Sequence, residues 1–184
     1  MKIYTRRGDG GSTHLANGQR IAKCDTQVEV YGTVDELISH IGLLRTEVDN
    51  PADNVLLIDI QRTLFGLGAW VSGWNGGNNF PTATHIQQLE AWIDTAEEER
   101  GRPFSGFILP GGCRAAAQAH VTRTVARRAE RLLCAIANNL PPIEGQSPEN
   151  TRQMGLAYLN RLSDFFFVFA KKMNYLSDTD EIKL

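Results

Sequence analysis

Apolar positions recur every three or four residues through most of the chain, the period of helices that each bury one face. Over 26–48, Val34, Leu37, Ile38, Ile41 and Leu44 form one such stripe. A second helix follows at once. Asn50 offers a cap, Pro51 takes the first helical position, the body is strongly apolar and "GWNGGNNFP" ends it. A third is predicted from Thr84, where Thr84 and Gln87 have capping-box spacing, to Gly101, and its acidic run "EEER" reads as a solvated face. The fourth is expected over 113–138, and the fifth begins at Ser147-Pro148-Glu149 and continues through "LAYLNRLSDFFFVFAKKMN". No segment alternates with period two for long enough to make a sheet, and there is no internal repeat or low-complexity tract. The expected fold class is therefore all-α, a five-helix bundle in a single domain. Residues 1–25 form a glycine-rich N-terminal loop or head, 26–176 the bundle and 177–184 a tail.

Composition narrows what such a bundle can do. With 184 residues, 42% hydrophobic and 22% charged, the chain can bury a sizeable core without a second domain. A net charge of −2 and a pI near 6.1 argue against a general binder of nucleic acid or anionic membrane, which usually carries a broad basic surface. The N-terminus "MKIYTRRGDG" has no apolar signal segment and "FFFVFA" is too short to span a bilayer. These features lead us to expect a soluble cytoplasmic protein, or an organelle matrix protein that has lost its transit peptide. Cys24, Cys113 and Cys134 are widely spaced with no CxxC, so they are expected to be reduced thiols, with no disulfide framework or zinc site. His14, His40, His85 and His120 are scattered, as surface or packing residues would be.

Against that acidic background, "VTRTVARRAERLL" gathers Arg123, Arg127, Arg128 and Arg131 around Glu130. Wound as a helix, Val121, Val125, Leu132 and Ile136 fall on one stripe, with Arg123, Arg127 and Glu130 roughly opposite. Arg131 is intermediate. Arg128 points back toward the apolar stripe, where a guanidinium needs a carboxylate partner. This face is either a solvated one, with Glu130 pairing along the helix, or an anion site.

Two further stretches bear on that choice. In the fifth helix Asn160, Asp164, Lys171 and Asn174 share one side with Phe167, a polar row on an otherwise apolar helix. The head, "YTRRGDGGSTHLANGQRIAK", offers glycine amides, the hydroxyls of Thr5, Ser12 and Thr13, and the charges of Arg6, Arg7 and Lys23. Those groups suit a polyphosphate cradle, although the GxxxxGK[ST] of a Walker loop is absent. Three anion-competent elements point together to a composite nucleotide site.

The stretches "YTRRGDGGSTHL", Lys23, "VEVYGTVDELISHIG", "FILPGG", "RTVARRAER" and "YLNRLSDFFFVFA" stand in an order and spacing that carry a specific resemblance. Along nearly its whole length the chain resembles the propanediol-utilisation (PduO) type of ATP:cob(I)alamin adenosyltransferase. The resemblance implies a ferritin-like/cobalamin adenosyltransferase-like bundle that trimerises, with sites at the subunit junctions. It also implies an alkyl transferase that moves the 5′-deoxyadenosyl group of ATP to the cobalt of cob(I)alamin and releases triphosphate, with Mg²⁺ on the polyphosphate.

Carried over by position, the ATP contacts are Thr5, Arg6, Arg7, Gly8, Thr13, Lys23, Arg127, Arg128, Glu130, Arg131 and Asn160. Arg123, Arg127 and Asp35 form the catalytic set, Asp35 being the acidic partner of Arg123 across the interface. Phe107, in "SGFILPGG", lies against the lower face of the corrin; from its apolar segment alone it could equally plug the end of the core. A flavoprotein reductase and an adenosylcobalamin-dependent enzyme are the implied partners, with no nucleic acid and no membrane.

Because cob(I)alamin is itself a strong nucleophile, such an enzyme needs alignment and charge neutralisation rather than a Ser/His or Cys/His pair. Two rivals fit less well. A ferritin-like di-iron protein needs two Glu-x-x-His pairs, which are absent. An RNA-binding helical module would leave the glycine-rich head without a purpose.

Overall fold

A computed structural model of the protein describes residues 4, 6, 8–74, 79–101 and 106–184. Five helices dominate it: α1 (Thr26–Arg45), α2 (Pro51–Val71), α3 (Ala83–Arg100), α4 (Arg114–Ile136) and α5 (Pro148–Leu176). A 3-10 turn at Ala137–Asn139 extends α4, and α1 ends short of the predicted 48.

Local chemistry sets these limits. Asn50 accepts from the backbone N–H groups of Ala52 and Asp53, with Pro51 at the first position of α2. Ser147 caps α5 by accepting from Asn150, and Gly101 closes α3 in a left-handed conformation. The start of α3 departs from expectation. Its capping box is Thr82 with His85, whose Nδ1 accepts from the Thr82 N–H at 3.2 Å, the role expected of Gln87 toward Thr84. Burial keeps His85 below its ordinary pKa, which preserves the neutral ring that this cap requires.

The core lies where α5 packs between α3 and α4, with α1 bridging α4 and α2. Trp70, Tyr158, Phe165, Phe166 and Phe169 are its largest buried side chains. Trp92 of α3 meets Phe165 at 4.6 Å and stacks on Phe169 at 5.4 Å, and Trp70 donates to the Pro141 carbonyl at 2.7 Å. A buried carboxylate, Asp53, joins three helices: it accepts from Trp92 Nε1 at 2.9 Å and lies 3.3 Å from Lys172 Nζ.

The expectation of no sheet needs correcting in the head. Strands β1 (Ser12–His14) and β2 (Arg20–Ala22) pair antiparallel, with Ser12 opposite Ala22 and His14 opposite Arg20. Three-residue strands are too short to display a period of two. Turn chemistry holds them instead: Asn17 accepts from the Gln19 N–H, and Arg20 bonds the Ser12 hydroxyl at 2.8 Å. Leu15 is buried and the Ala16 N–H donates to the Ser72 carbonyl at 2.8 Å, fixing the hairpin to the end of α2.

A second pairing involves the tail. Ile108 bridges antiparallel to Lys183, the Leu109 N–H donates to Ile182 at 2.9 Å, and the Leu184 N–H donates to the Phe107 carbonyl at 3.1 Å. The tail therefore braces the segment that enters α4.

Candidate functional site

The fourth helix buries small residues rather than the stripe its large ones mark. Ala115, Ala116, Ala119, Thr122, Val125, Ala126, Ala129 and Leu133 face the core, while Val121 is 44% exposed. Leu132 and Ile136 lie only at the boundary. Alanine adds little to an apolar pattern yet lets helices approach closely, so the true packing face is turned from the predicted one.

That rotation divides the arginines. Arg123, Arg127 and Arg131 run along the α5 side, whereas Arg128 lies against α1 and donates to the Glu36 carboxylate. Arg128 thus has the acidic partner that its position demanded. Asn160 of α5 donates to Glu130 at 3.0 Å, and together with Arg127, Arg131, Cys134 and Leu156 they line a cavity of about 340 Å³.

Charge in this region is unbalanced. Among the described residues, Arg123, Arg127 and Arg131 have no carboxylate partner within ion-pair distance. Arg131 donates instead to the Arg127 carbonyl at 3.1 Å. Arg123 is half-buried and its Nε has no acceptor; burial, then the neighbouring Arg127 charge, push its guanidinium below the ordinary value. Like charges held together without a counter-ion constitute an anion site in electrostatic terms.

One turn before Arg123, His120 is 3% exposed, and neither ring nitrogen has a partner. Its ring meets Phe167 edge to face at 6.2 Å, and the Lys171 ammonium stands over the same Phe167 ring, 5.5 Å from its centroid. Burial and then the Arg123 charge lower the His120 pKa to about 4. The folded pKa lies below the unfolded value, so this residue's contribution to stability is present above about pH 6.5 and is lost as pH falls toward 4. We expect thermal unfolding midpoints between pH 7 and pH 4 to fall less steeply in His120→Gln than in the parent; parallel slopes would contradict that assignment.

The polar row of α5 is divided in the same way. Asn160 reaches the cavity and Asp164 pairs with Arg161 at 2.6 Å. Asn174 is buried, accepting from the Cys113 N–H at 3.0 Å and donating to the Gly111 carbonyl at 3.2 Å. It makes Gly112 obligatory: the backbone there has φ +108°, and a Cβ would stand 2.0 Å from Asn174 Oδ1. Asn174 therefore pins the loop that launches α4. Phe107, just before that loop, is 78% exposed, which rules out the core-plug alternative.

In the head, the two nearest atoms to a Cβ built on Gly8 belong to Lys23, whose Nζ would be 3.2 Å away, and the Lys23 N–H donates to the Gly11 carbonyl at 2.9 Å. The loop thus wraps the lysine closely, and Thr13 lies in β1 opposite Ile21. Arg6 lies over the Tyr4 ring at 5.6 Å, while Thr5 and Arg7 lie outside the described residues. No hydrogen bond or ion pair among the described residues joins Gly8, Thr13 or Lys23 to the arginines of α4.

Between α1 and α2 lies an apolar groove of about 660 Å³, lined by Tyr31, Val34, Asp35, Ile38, Phe65 and Trp74 among others. Phe65 is 72% and Trp74 56% exposed. Asp35 has no ion-pair partner among the described residues. The pattern of the chain singles out neither the groove aromatics nor Glu36. Cys24, Cys113 and Cys134 are free thiols, and no group of three or more His, Cys, Asp or Glu among the described residues could hold a metal ion.

Comparison with known proteins gives these features a family. A family model described as cobalamin adenosyltransferase matches residues 3–173. A cobalamin adenosyltransferase of Cupriavidus metallidurans is 44% identical, over 94% of this chain and 88% of that protein. The corrinoid adenosyltransferase PduO of Salmonella typhimurium is 39% identical over 93% of the chain, which spans only 49% of that longer relative. A variant of the PduO-type ATP:corrinoid adenosyltransferase from Lactobacillus reuteri, solved in complex with cobalamin and ATP, superposes with a TM-score of 0.85 at 32% identity, covering 100% of this chain and 96% of that one. The chain belongs to the cobalamin adenosyltransferase family.

Proposed function

We propose that the protein transfers the 5′-deoxyadenosyl group of ATP to the cobalt of cob(I)alamin, giving adenosylcobalamin and triphosphate. The observation that carries this reading is the set of three arginines, Arg123, Arg127 and Arg131, without carboxylate partners beside an open cavity. An electron pair on cobalt forms the cobalt–carbon bond to the 5′ carbon, and the carbon–oxygen pair leaves with the triphosphate. The chain's task is to align the two reactants and meet the charge that grows on the leaving group. Arg127 and Arg131 are exposed donors suited to that charge, and Arg123 stands one turn before Arg127 on the same helix.

Arg6, Gly8, Thr13 and Lys23 supply the polyphosphate cradle in this scheme, with Thr5 and Arg7, and Asn160 and Glu130 border the nucleotide. Mg²⁺ accompanies the ATP. The donor set suits an ion carried by phosphate oxygens, since Glu130 is the one carboxylate lining the described cavity. It neutralises polyphosphate charge when bound.

The same scheme calls for a homotrimer whose sites form between subunits. Two observations support that arrangement: Asp35 faces the α1–α2 groove without a cation, and Arg123 sits on the α4–α5 side without an anion. A second copy laid on the exposed Phe65 and Trp74 would bring opposite charges and the head toward the arginine face. A flavoprotein reductase that delivers cob(I)alamin and an adenosylcobalamin-dependent enzyme that receives the product complete the partners. No helix among the described residues is long and apolar enough to cross a membrane. Three free thiols and the use of ATP suit the cytoplasm.

The product triphosphate tests the reaction directly: anion-exchange chromatography after single turnover is expected to show triphosphate equal to adenosylcobalamin, and release of diphosphate or orthophosphate alone would exclude it. Phe107 supplies a separate test. Its exposed ring, on a backbone that the tail braces, is suited to exclude ligands from the lower face of the corrin, which eases reduction of cobalt. Phe107→His offers a coordinating nitrogen, so electron paramagnetic resonance of cob(II)alamin with ATP is expected to lose the four-coordinate signal. Undiminished signals in both Phe107→His and Phe107→Ala would remove Phe107 from the site.

A further inference from the structure

Arg128 stands apart from the other arginines, and what surrounds it is more than a single ion pair. Glu36 of α1 accepts from Arg128 Nη2 through Oε2. Its other oxygen, Oε1, faces His40 Nε2 one turn along α1 at 3.9 Å. On the far side of that ring, Gln118 Nε2 of α4 lies 3.0 Å from His40 Nδ1 and 3.2 Å from the His40 carbonyl oxygen.

These contacts define the proton positions. A carbonyl oxygen only accepts, so the Gln118 atom beside it is the amide NH₂, and the same group donates to His40 Nδ1. The neutral imidazole then carries its proton on Nε2, directed at the Glu36 carboxylate. Gln118 donates to His40, and His40 and Arg128 both turn donors toward the Glu36 carboxylate, one to each oxygen. At 3.9 Å the His40 contact is electrostatic rather than a direct hydrogen bond.

The arrangement restricts the Arg128 guanidinium to one place. A free arginine carries side-chain rotamer entropy that binding an anion would have to overcome. Glu36 takes one of the five guanidinium donors and, among the described residues, no acceptor takes the Nη1 pair.

We propose that Glu36 is a positioning residue for the nucleotide: oriented by His40 and Gln118, it holds the Arg128 guanidinium ready to meet ATP. This rests on the reading of Arg128 as an ATP contact given above. Glu36 itself touches no substrate, so its loss acts on affinity rather than on turnover. A half-exposed pair of this kind has a modest effect, and the expected rise in the KM for ATP in Glu36→Gln is about threefold to tenfold, with kcat within about twofold of the parent.

The test is a double-mutant cycle with Glu36→Gln, Arg128→Ala and both together, read by KM and kcat and also by calorimetric titration with ATP alone. Glu36→Gln is expected to weaken ATP, and to weaken it no further once Arg128 is alanine. Gln118→Met, which removes the group that orients His40, is expected to give a smaller loss of the same kind. Unchanged ATP affinity in Glu36→Gln, or losses that multiply in the double variant, would overturn the proposal. If the parent binds ATP without turning over, adenosyl transfer is rejected while the calorimetric cycle still decides the role of Glu36.

Discussion

Arg127→Ala is expected to fold normally and lose turnover by about a hundred- to thousandfold, the loss of about 2–4 kcal/mol usual when one donor to a developing anion is removed. Arg127 is exposed, makes no ion pair among the described residues, and offers Arg131 only its backbone carbonyl. Truncating it breaks no side-chain hydrogen bond or ion pair among the described residues, so circular dichroism and the unfolding midpoint are expected to stay at parental values. The effect belongs in kcat, because charge on the triphosphate grows as the carbon–oxygen bond breaks. Parental turnover at saturating ATP in the helical variant would show that this face does not meet the leaving group.

Asp35→Asn and Arg123→Ala are each expected to abolish most activity, and mixing the two inactive proteins is expected to restore part of it. In a cyclic trimer a junction built from Asp35 of one copy and Arg123 of the next can receive both lesions or neither. The structure makes the recovery a sharp test. Arg123 lacks a carboxylate and Asp35 lacks a cation within one chain, although each sits at a defined place on the bundle. Recovery requires exchange of subunits, so the proteins are to be mixed in mild denaturant and refolded together. No recovery despite demonstrated exchange, or a monomer by light scattering at working concentration, would separate the two residues.

Much of the scaffold was legible before any coordinates, for reasons that particular residues make plain. Asn50-Pro51, Ser147-Pro148 and Gly101 are strong local signals whose chemistry is complete within one turn, and each marks the boundary expected of it. What depended on distant partners, or on an unusual residue in a local role, was not legible. The cap of α3 uses a histidine where Glu or Gln is usual. The packing face of α4 is built on alanines, which a pattern of large residues passes over, so that pattern predicts Val121 in the core where the structure exposes it. Two short strand pairings, one in the head and one between Ile108 and Lys183, carry no periodicity.

The candidate site divides along the same line. The need of Arg128 for a carboxylate follows from its place on the helix, whereas its identity as Glu36, ninety-two positions away, follows only from how α1 crosses α4. Lys171 and Asn174 shared a face with Asn160 by spacing, yet α5 carries them from the cavity into the packed end of the bundle, where Asn174 holds the Gly111–Gly112 loop.

The central claim is that this chain joins adenosyl carbon to cobalt. Purified protein, ATP and chemically reduced cobalamin are to be mixed without oxygen and followed by absorption spectroscopy. The account predicts decay of the cob(I)alamin band at a rate that depends on protein and ATP, with rise of a light-sensitive alkylcobalamin spectrum. A cob(I)alamin spectrum that persists with ATP bound, or that returns only to cob(II)alamin, would contradict it.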